Sequence, residues 1–286
     1  MERLHRYFFV ITANSTRISQ NASRVTKVKP NTFGNKIATL SCKSLGMTEP
    51  TTRLYTDGEY AKKHPSWHLP DAPAKAQDLR CGLLELLQRL PGKRLRIADV
   101  GAGVGGVLRE VIDVVRTFDA DICTDPVGYE ISQQAVNAAE TLFPELPMRC
   151  KHLEVGDGPF DVVLLVDVLE HVENPWELLR TARATSQFLL VRQPLLENFS
   201  TFRYDNYAFQ REHWGHIGLF TYRSFLDMAA ATGWIQVKAT LTAPWELANS
   251  TSRGGWTQRA LCRFNRTMAS YLLSGFYVNG LFERSS

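Results

Sequence analysis

Apolar residues between residues 79 and 118 recur alternately at helical and at strand spacing. The leucines of 79–90 follow helical spacing, which predicts a helix that ends at Pro91. Residues 94–100 form a short apolar segment typical of a strand, and the apolar residues of 106–118 again share one helical face. This part of the chain therefore predicts a helix, a strand and a second helix in succession.

The same alternation continues to the end of the chain. Further strands are predicted at 126–131, 160–169, 188–195, 234–241 and 274–282, and further helices at 133–143, from Pro175 onward, at 221–232 and near 256–272. The unbroken apolar run of 160–169 is typical of a strand buried on both faces of a parallel sheet. Alternation of strands and helices predicts an α/β protein with a doubly wound sheet, whose ligands lie at the carboxyl ends of the strands.

One long segment, residues 193–219, interrupts this pattern. It contains six aromatic residues, namely Phe199, Phe202, Tyr204, Tyr207, Phe209 and Trp214. Loops of this length without regular structure are uncommon and frequently functional, so the segment is interpreted as a lid over a substrate pocket. The alternative is a small apolar cluster packed beneath the loop, and the two interpretations are compatible.

Composition excludes several classes of protein. The chain lacks a run of roughly 18 apolar residues, so no membrane span is expected. Its five cysteines are scattered without a C-x-x-C pair, which argues against a disulfide framework and fits a reducing, cytoplasmic compartment.

Charge divides the chain into a basic beginning and a mildly acidic body. Residues 1–46 contain eight Lys/Arg and one acid, whereas the remaining 240 residues contain 25 Lys/Arg and 28 Asp/Glu. A nucleic-acid partner is therefore not expected for the body. Residues 1–46 are expected to be a disordered basic extension. They could be a transit segment, a flexible arm or, as we favour, an over-extended start before a single domain at 47–286.

A glycine-rich turn follows the first predicted strand. Residues 99–106, DVGAGVGG, satisfy both the G-x-G-x-x-G pattern of dinucleotide-binding turns and the D-x-G-x-G-x-G pattern of S-adenosylmethionine-binding turns. Glu130 lies 29 residues after Gly101, and its carboxylate suits the ribose diol of either cofactor. The turn alone thus leaves an NAD(P)-dependent oxidoreductase and a methyltransferase open.

Two further features favour S-adenosylmethionine. Asp99 can meet the ammonium of a bound methionine, whereas a nearby pyrophosphate would repel it. The segment DVLEHVENP (167–175) directly follows the strand of 160–169, and nothing in a dehydrogenase requires an Asp-x-x-Glu-His sequence there.

With these motifs the chain resembles the class I S-adenosylmethionine-dependent methyltransferases. The resemblance rests on ADVGAGVGG, GYEIS and FDVVLLVDVLEHVENP, while GHIGLFTYRSFLDMAAATGW is similar to the branch that includes quinone-ring O-methyltransferases. It covers about 60–282 and implies a Rossmann-like sheet of seven strands, mostly parallel with an antiparallel last strand, and helices on both faces. It also implies a helical cap (60–92), a cofactor-binding core (94–192), the lid loop (193–219) and C-terminal strands and helices (220–286).

The resemblance assigns S-adenosylmethionine as the cofactor and a set of residues that bind it. These are Asp99, Gly101, Ala102, Gly103, Gly105, Glu130, Ile131 and Asp167. Ala102 replaces the commoner cysteine, and the connection from the glycine turn to Glu130 is long. The expected acceptor is an oxygen or nitrogen of a small molecule, and the oligomeric state is left open.

Glu170, His171 and His216 are the candidate catalytic residues. His171 follows the strand end and is the first candidate for a general base, the alternative being a structural histidine held by Glu170. In some methyltransferases of this signature, two acids and a histidine spaced like Asp167, Glu170 and His171 hold a divalent cation. A later histidine, for which His216 stands in a comparable place, can complete the ligand set. Asp167 is shorter than the usual glutamate, so no metal is predicted. Metal-assisted 2′-O-methylation of an RNA end and a catalytically silent binding module remain alternatives.

Overall fold

The computed structural model describes residue 55 and residues 57–90, 92–248, 250 and 253–285. The predicted extension, residues 1–46, and the first residues of the predicted domain lie outside the described residues. Within the described residues, no helix combines the length and the apolar character that crossing a membrane would require.

Helices and strands alternate along the chain. The helices are α1 (Glu59–Lys63), α2 (Ala72–Arg89), α3 (Gly106–Phe118), α4 (Gln133–Leu142), α5 (Pro175–Thr185), α6 (Phe199–Tyr204), α7 (Tyr207–Phe209), α8 (Tyr222–Ala231), α9 (Trp256–Phe264) and α10 (Arg266–Leu272). The strands are β1 (Arg94–Val100), β2 (Cys123–Glu130), β3 (Met148–Cys150), β4 (Phe160–Val166), β5 (Ser186–Leu195), β6 (Trp234–Thr242) and β7 (Phe276–Arg284).

The seven strands form one sheet in the order β3-β2-β1-β4-β5-β7-β6. The pairs from β3 to β5 are parallel, and β7 runs antiparallel to both of its neighbours. This arrangement confirms the predicted doubly wound, mostly parallel sheet with an antiparallel last strand. Chain order reverses between β1 and β4, and the carboxyl ends of these strands flank a crevice suited to a ligand.

Apolar side chains cover both faces of the sheet, because successive residues of a strand point to opposite sides. Ile97 packs in a cluster with Leu83 and Val111 of helices α2 and α3. Ala98, the next residue of β1, packs in the other cluster with Leu179 of α5 and Phe225 of α8. Helices therefore lie on both faces, as predicted.

Local capping explains where several helices begin. Ser132 accepts a hydrogen bond from the Ala135 N–H at the start of α4, and Asn174 accepts one from the Glu177 N–H at the start of α5. Each bond satisfies an N–H that has no partner within the helix. Pro175 occupies the first position of α5, where its missing N–H costs nothing.

The structure differs from the predicted elements at four places. β4 ends at Val166 rather than at residue 169, since Asp167 leaves the extended conformation at φ 55°. α2 begins at Ala72, seven residues before the leucine pattern, and the segment 256–272 forms two helices. β3, a three-residue strand at the sheet edge, had no predicted counterpart.

The long segment 193–219 is largely regular rather than a loop. Residues 193–195 belong to β5, and helices α6 and α7 are followed by a π-helical turn at Gln210–Trp214. Asn198 caps α6 through its side-chain oxygen, which accepts from the Thr201 N–H. The prediction failed here because aromatic residues at short helical intervals leave no clear period.

Candidate active site

A cavity of about 460 Å³ opens at the carboxyl ends of β1, β2 and β4. The glycine turn after β1 and the residues that follow β4 form its walls. Tyr55 and Tyr60, which precede α2 in the chain, also line it. Seven of the eight predicted cofactor residues line this cavity, namely Asp99, Gly101, Ala102, Gly103, Glu130, Ile131 and Asp167, as does His171.

The glycine turn brings backbone to the cavity where a side chain would intrude. Gly101 and Gly103 have φ values of 71° and 54°, which favour glycine. A Cβ on Gly103 would meet nothing within 4 Å, so open space adjoins this backbone. Gly105, the eighth predicted cofactor residue, is not among the lining residues, and its Cβ would meet Leu146 at 3.2 Å. It is the N-cap residue of α3, with a φ of 81°.

Glu130 is fixed at the end of β2 by backbone donors. Its carboxylate accepts hydrogen bonds of 2.9 Å from the Gly103 N–H and the Ser132 N–H. Burial raises the pKa of Glu130 above its ordinary value, while these two donors act in the opposite direction. A carboxylate offers about four acceptor positions, so two hydroxyl groups could still bind to it.

Asp99 is a buried carboxylate with an unpaired oxygen. The residue is 2% exposed, and no described residue forms a hydrogen bond with its Oδ2. Burial, and secondarily the charge of Glu130, raises the pKa of Asp99 to about 7. An unpaired buried carboxylate oxygen is costly, so the site suits a ligand that brings a cationic donor.

Asp167 lies in an ion-pair network beside the cavity. Arg192 of β5 donates to Asp167 and also to Asp78 of α2, at 3.1 Å, while the Lys75 ammonium lies 3.1 Å from Asp167. The charges of Arg192 and Lys75 hold the pKa of Asp167 below its ordinary value despite its burial. The network joins α2 to β5 and fixes the turn after β4.

Glu170, His171 and His216 meet beside the cavity, where His171 is a lining residue and Glu170 and His216 are not. Nε2 of His171 lies 3.9 Å from a Glu170 oxygen, and the two imidazole rings are 4.8 Å apart between centroids. One ligand atom from each of the three residues lies within 4.8 Å of the others, close enough for a shared metal ion. Asp167 is turned toward Arg192 and Lys75, so it does not join these three residues in the four-residue ligand set of some methyltransferases with this signature.

Hydrogen bonds orient both histidines. Nδ1 of His171 lies 2.7 Å from the Tyr55 hydroxyl and 3.3 Å from the Gly215 carbonyl oxygen. A protonated Nδ1 satisfies both oxygens, since the carbonyl only accepts, and leaves the lone pair on Nε2. Nδ1 of His216 lies 2.9 Å from Oε1 of Gln210.

Burial keeps this cluster uncharged near neutral pH. It raises the pKa of Glu170 to about 8, with Asp167 adding to the effect. It lowers the pKa of His171 to about 4 and that of His216 to about 3. Neutral imidazoles retain a lone pair that can accept a proton or coordinate a cation.

Several residues around the cavity were missed by the sequence analysis. Tyr55 and Tyr60, which precede α2 in the chain, line the cavity. Lys75 and Arg192 form the ion-pair network at Asp167. One signal was available, because Arg192 interrupts an apolar strand, and a buried arginine requires a charged partner. The predicted lid is linked to the cap by stacking of Trp214 on His64, at 5.8 Å between ring centroids.

Comparison with known proteins defines the class. A methyltransferase domain family matches residues 75–238, which is more than half of the chain. The chain therefore belongs to this family, and the predicted class I methyltransferase is confirmed. This result does not favour the NAD(P)-dependent oxidoreductase or the RNA-end methyltransferase.

Two curated relatives are ubiquinone biosynthesis O-methyltransferases. The protein of Caulobacter sp. strain K31 is 39% identical over 97 residues, and that of Caulobacter vibrioides is 38% identical over 96 residues. Each alignment covers 32% of this chain and 37% of the relative. The match thus spans little more than a third of these relatives' length.

Solved methyltransferases share the fold. The plantazolicin methyltransferase BpumL, in complex with SAH, has a TM-score of 0.54 at 14% identity and covers 88% of this chain and 99% of its own. The magnesium protoporphyrin IX methyltransferase of Synechocystis PCC 6803, with bound SAM, has a TM-score of 0.53 at 14% identity. The match covers 84% of this chain and 100% of that methyltransferase. At these identities the likeness shows the fold alone.

Proposed function

We propose that the chain transfers a methyl group from S-adenosylmethionine to a hydroxyl oxygen of a small aromatic acceptor. The observation that carries this proposal is the unpaired Asp99 oxygen, which lies in the same cavity as Glu130 and the open space beside Gly103. A cationic amino group, a ribose diol and a close backbone approach are the three requirements of this cofactor.

S-adenosylmethionine supplies a methyl group on a positively charged sulfur. The chain's own residues would hold its parts: Asp99 accepts from the amino group, and Glu130 accepts from the ribose hydroxyls. The N-terminus of α3 presents N–H groups that favour a carboxylate. Ala102 and Ile131 line the cavity between these anchors.

His171 is the proposed general base. It lines the cavity, and its Nε2 carries the lone pair when Nδ1 bonds to Tyr55 and Gly215. Removal of a hydroxyl proton during attack contributes typically about 10²–10⁴-fold to rate. The curated relatives, which are ubiquinone biosynthesis O-methyltransferases, support a phenolic hydroxyl as the acceptor.

A metal-assisted form of the same reaction is the second candidate. The ligand atoms of Glu170, His171 and His216 within 4.8 Å of one another favour it. One carboxylate and two imidazoles suit a transition metal, and a bound cation would lower the pKa of an acceptor hydroxyl. In this form His171 would bind the cation instead of the proton.

The test follows an isotopically labelled methyl group from S-adenosylmethionine to a catechol, a phenol and a primary amine. Label in the phenolic ethers is expected, and its absence from every acceptor while the donor binds would overturn the proposal. The His171→Ala variant should lose about 10²–10⁴-fold in turnover. His213→Ala, at an exposed histidine, is the matched control. Loss of activity on chelation, restored by a divalent cation, would select the metal-assisted form.

A cytoplasmic location is proposed as well. The four cysteines in the described part of the chain are all free, which fits a reducing compartment. Expression with a fluorescent tag at the C-terminus would test this location, and organellar signal would contradict it.

A further inference from the structure

The C-terminal part of the chain has an unusual charge composition. Residues 247–282 contain four arginines but no lysine, aspartate or glutamate. The chain after residue 46 carries a net charge of −3, from 25 Lys/Arg and 28 Asp/Glu. This segment is therefore a local concentration of positive charge on a mildly acidic body.

Helix α9 in this segment exposes two aromatic side chains. Trp256 and Phe264 are 81% and 85% exposed, more than any other large hydrophobic side chain in the described part of the chain. Met268 and Leu272 of α10 add two exposed apolar side chains. Exposure of this extent has no role in the packing of the domain.

Helical geometry groups these side chains with two arginines. At 100° per residue, Trp256, Arg259, Arg263 and Phe264 fall within an arc of about 140°, and all four are exposed. Cys262, on the opposite side of the helix, is buried against the domain. The four residues are called the α9 surface below.

The arginines of the α9 surface line a surface cleft of about 500 Å³. Arg266, a third arginine of the cleft, is held by Glu246 at 2.8 Å. Among the described residues Arg259 and Arg263 form no ion pair, so their positive charges are available. The planar guanidinium group binds phosphate with two parallel hydrogen bonds.

We propose that the α9 surface docks on a bilayer that contains anionic phospholipids. Trp256 and Phe264 would enter the boundary between headgroups and acyl chains, while Arg259 and Arg263 would bind lipid phosphates. Aromatic and basic residues also suit single-stranded RNA, but the aliphatic Met268 and Leu272 cannot stack on bases. The proposal does not depend on methyl transfer.

Vesicle flotation of the chain of residues 1–286 tests the proposal. Vesicles of phosphatidylcholine alone are compared with equal mixtures of phosphatidylcholine and phosphatidylglycerol, at low and at high salt. The chain should float with the anionic vesicles only, and less at high salt. Two double variants should each weaken binding to the anionic vesicles by about tenfold or more: Trp256→Ser with Phe264→Ser, and Arg259→Glu with Arg263→Glu.

Matched controls separate the α9 surface from the rest of the chain. Phe118→Ser/Leu142→Ser removes two exposed apolar side chains elsewhere, and Arg116→Glu/Arg180→Glu makes the same charge change on other helices. Both should bind vesicles as the unchanged chain does, and melting curves check that every variant folds.

Three outcomes would overturn the proposal. They are no flotation with anionic vesicles, equal flotation of the α9 variants and the unchanged chain, and loss in the α9 variants of binding to single-stranded RNA with vesicle binding unchanged. The second outcome is the one expected if the basic residues 1–46 bind the vesicles, since binding through that segment would not respond to the α9 substitutions.

Discussion

Replacement of Asp99 by asparagine tests how the cavity holds an amino group. The substitution keeps the size of the side chain, removes its charge and replaces one acceptor oxygen by an NH2 donor. Asp99 is buried and its Oδ2 has no partner among the described residues, so a bound ammonium would be its main polar contact. Loss of a charge-assisted hydrogen bond costs about 1.5–3 kcal/mol, or about 10- to 150-fold in affinity for S-adenosylhomocysteine at neutral pH.

The pKa of Asp99 adds a dependence on pH whose sign is fixed. The pKa in the free protein is about 7, so below pH 7 most of the protein has a protonated Asp99 carboxyl, which must release its proton before it can pair with an ammonium. The ionised fraction falls about fivefold from pH 7 to pH 6 and nearly tenfold over the next unit. Affinity should fall with it, whereas Asp99→Asn should lack this slope and approach the unchanged chain at low pH.

Isothermal titration calorimetry in buffers of different ionisation enthalpy measures both quantities. It should detect release of nearly one proton on binding near pH 6 in the unchanged chain and none in Asp99→Asn. Asp125→Asn, at an exposed carboxylate, is the matched control and should behave as the unchanged chain. The same affinity and the same slope in Asp99→Asn and the unchanged chain would refute the reasoning.

Three further predictions concern binding and stability. Glu130→Ala should weaken the binding of S-adenosylhomocysteine by about 1.5–3 kcal/mol, measured by calorimetry, because the ribose hydroxyls lose a charged acceptor. Gly103→Leu should lower the affinity for S-adenosylhomocysteine by more than about tenfold, because the leucine side chain fills the cavity. The positive φ at residue 103 is unfavourable for leucine, so the free energy of unfolding in urea should fall by about 1–2 kcal/mol. Arg192→Met leaves Asp167 and Asp78 without their shared partner, and should cost about 3–5 kcal/mol of unfolding free energy.

Each of these variants has a control of the same kind on the surface. Glu145→Ala removes an exposed carboxylate, Gly156→Leu fills open space outside the cavity, and Arg180→Met removes an exposed arginine. All three controls should stay near the unchanged chain. Unaltered binding in Glu130→Ala or Gly103→Leu would place the ligand elsewhere, and unaltered stability in Arg192→Met would show that the network contributes little.

The part of the site that the sequence predicts is built from short segments. Asp99, Gly101 and Gly103 lie within five residues of one another, and Glu130 follows at the end of the next strand. Strand period, glycine positions and sheet direction place them together, because the carboxyl ends of parallel strands meet at one edge. The caps Ser132 and Asn174 are likewise local, since each accepts from a backbone N–H three residues further along the chain.

Long-range contacts account for what the sequence did not reveal. Tyr55 reaches His171 across 116 positions of the chain, and Asp78 reaches Arg192 across 114. No local period records such pairs, since they depend on how α2 and the N-terminal cap pack on the finished sheet. The turn at Asp167 was missed for the same reason, as Arg192 and Lys75 hold it in a conformation that apolar patterning alone would extend.

The central claim is that Asp99 and Glu130 hold the two ends of one nucleoside in the cavity beside Gly103. A crystal structure with S-adenosylhomocysteine tests it most directly. The account predicts the amino group within hydrogen-bond distance of Asp99 and the ribose hydroxyls on Glu130. Density for the ligand at another place, with the Asp99 oxygen still unpaired, would contradict it.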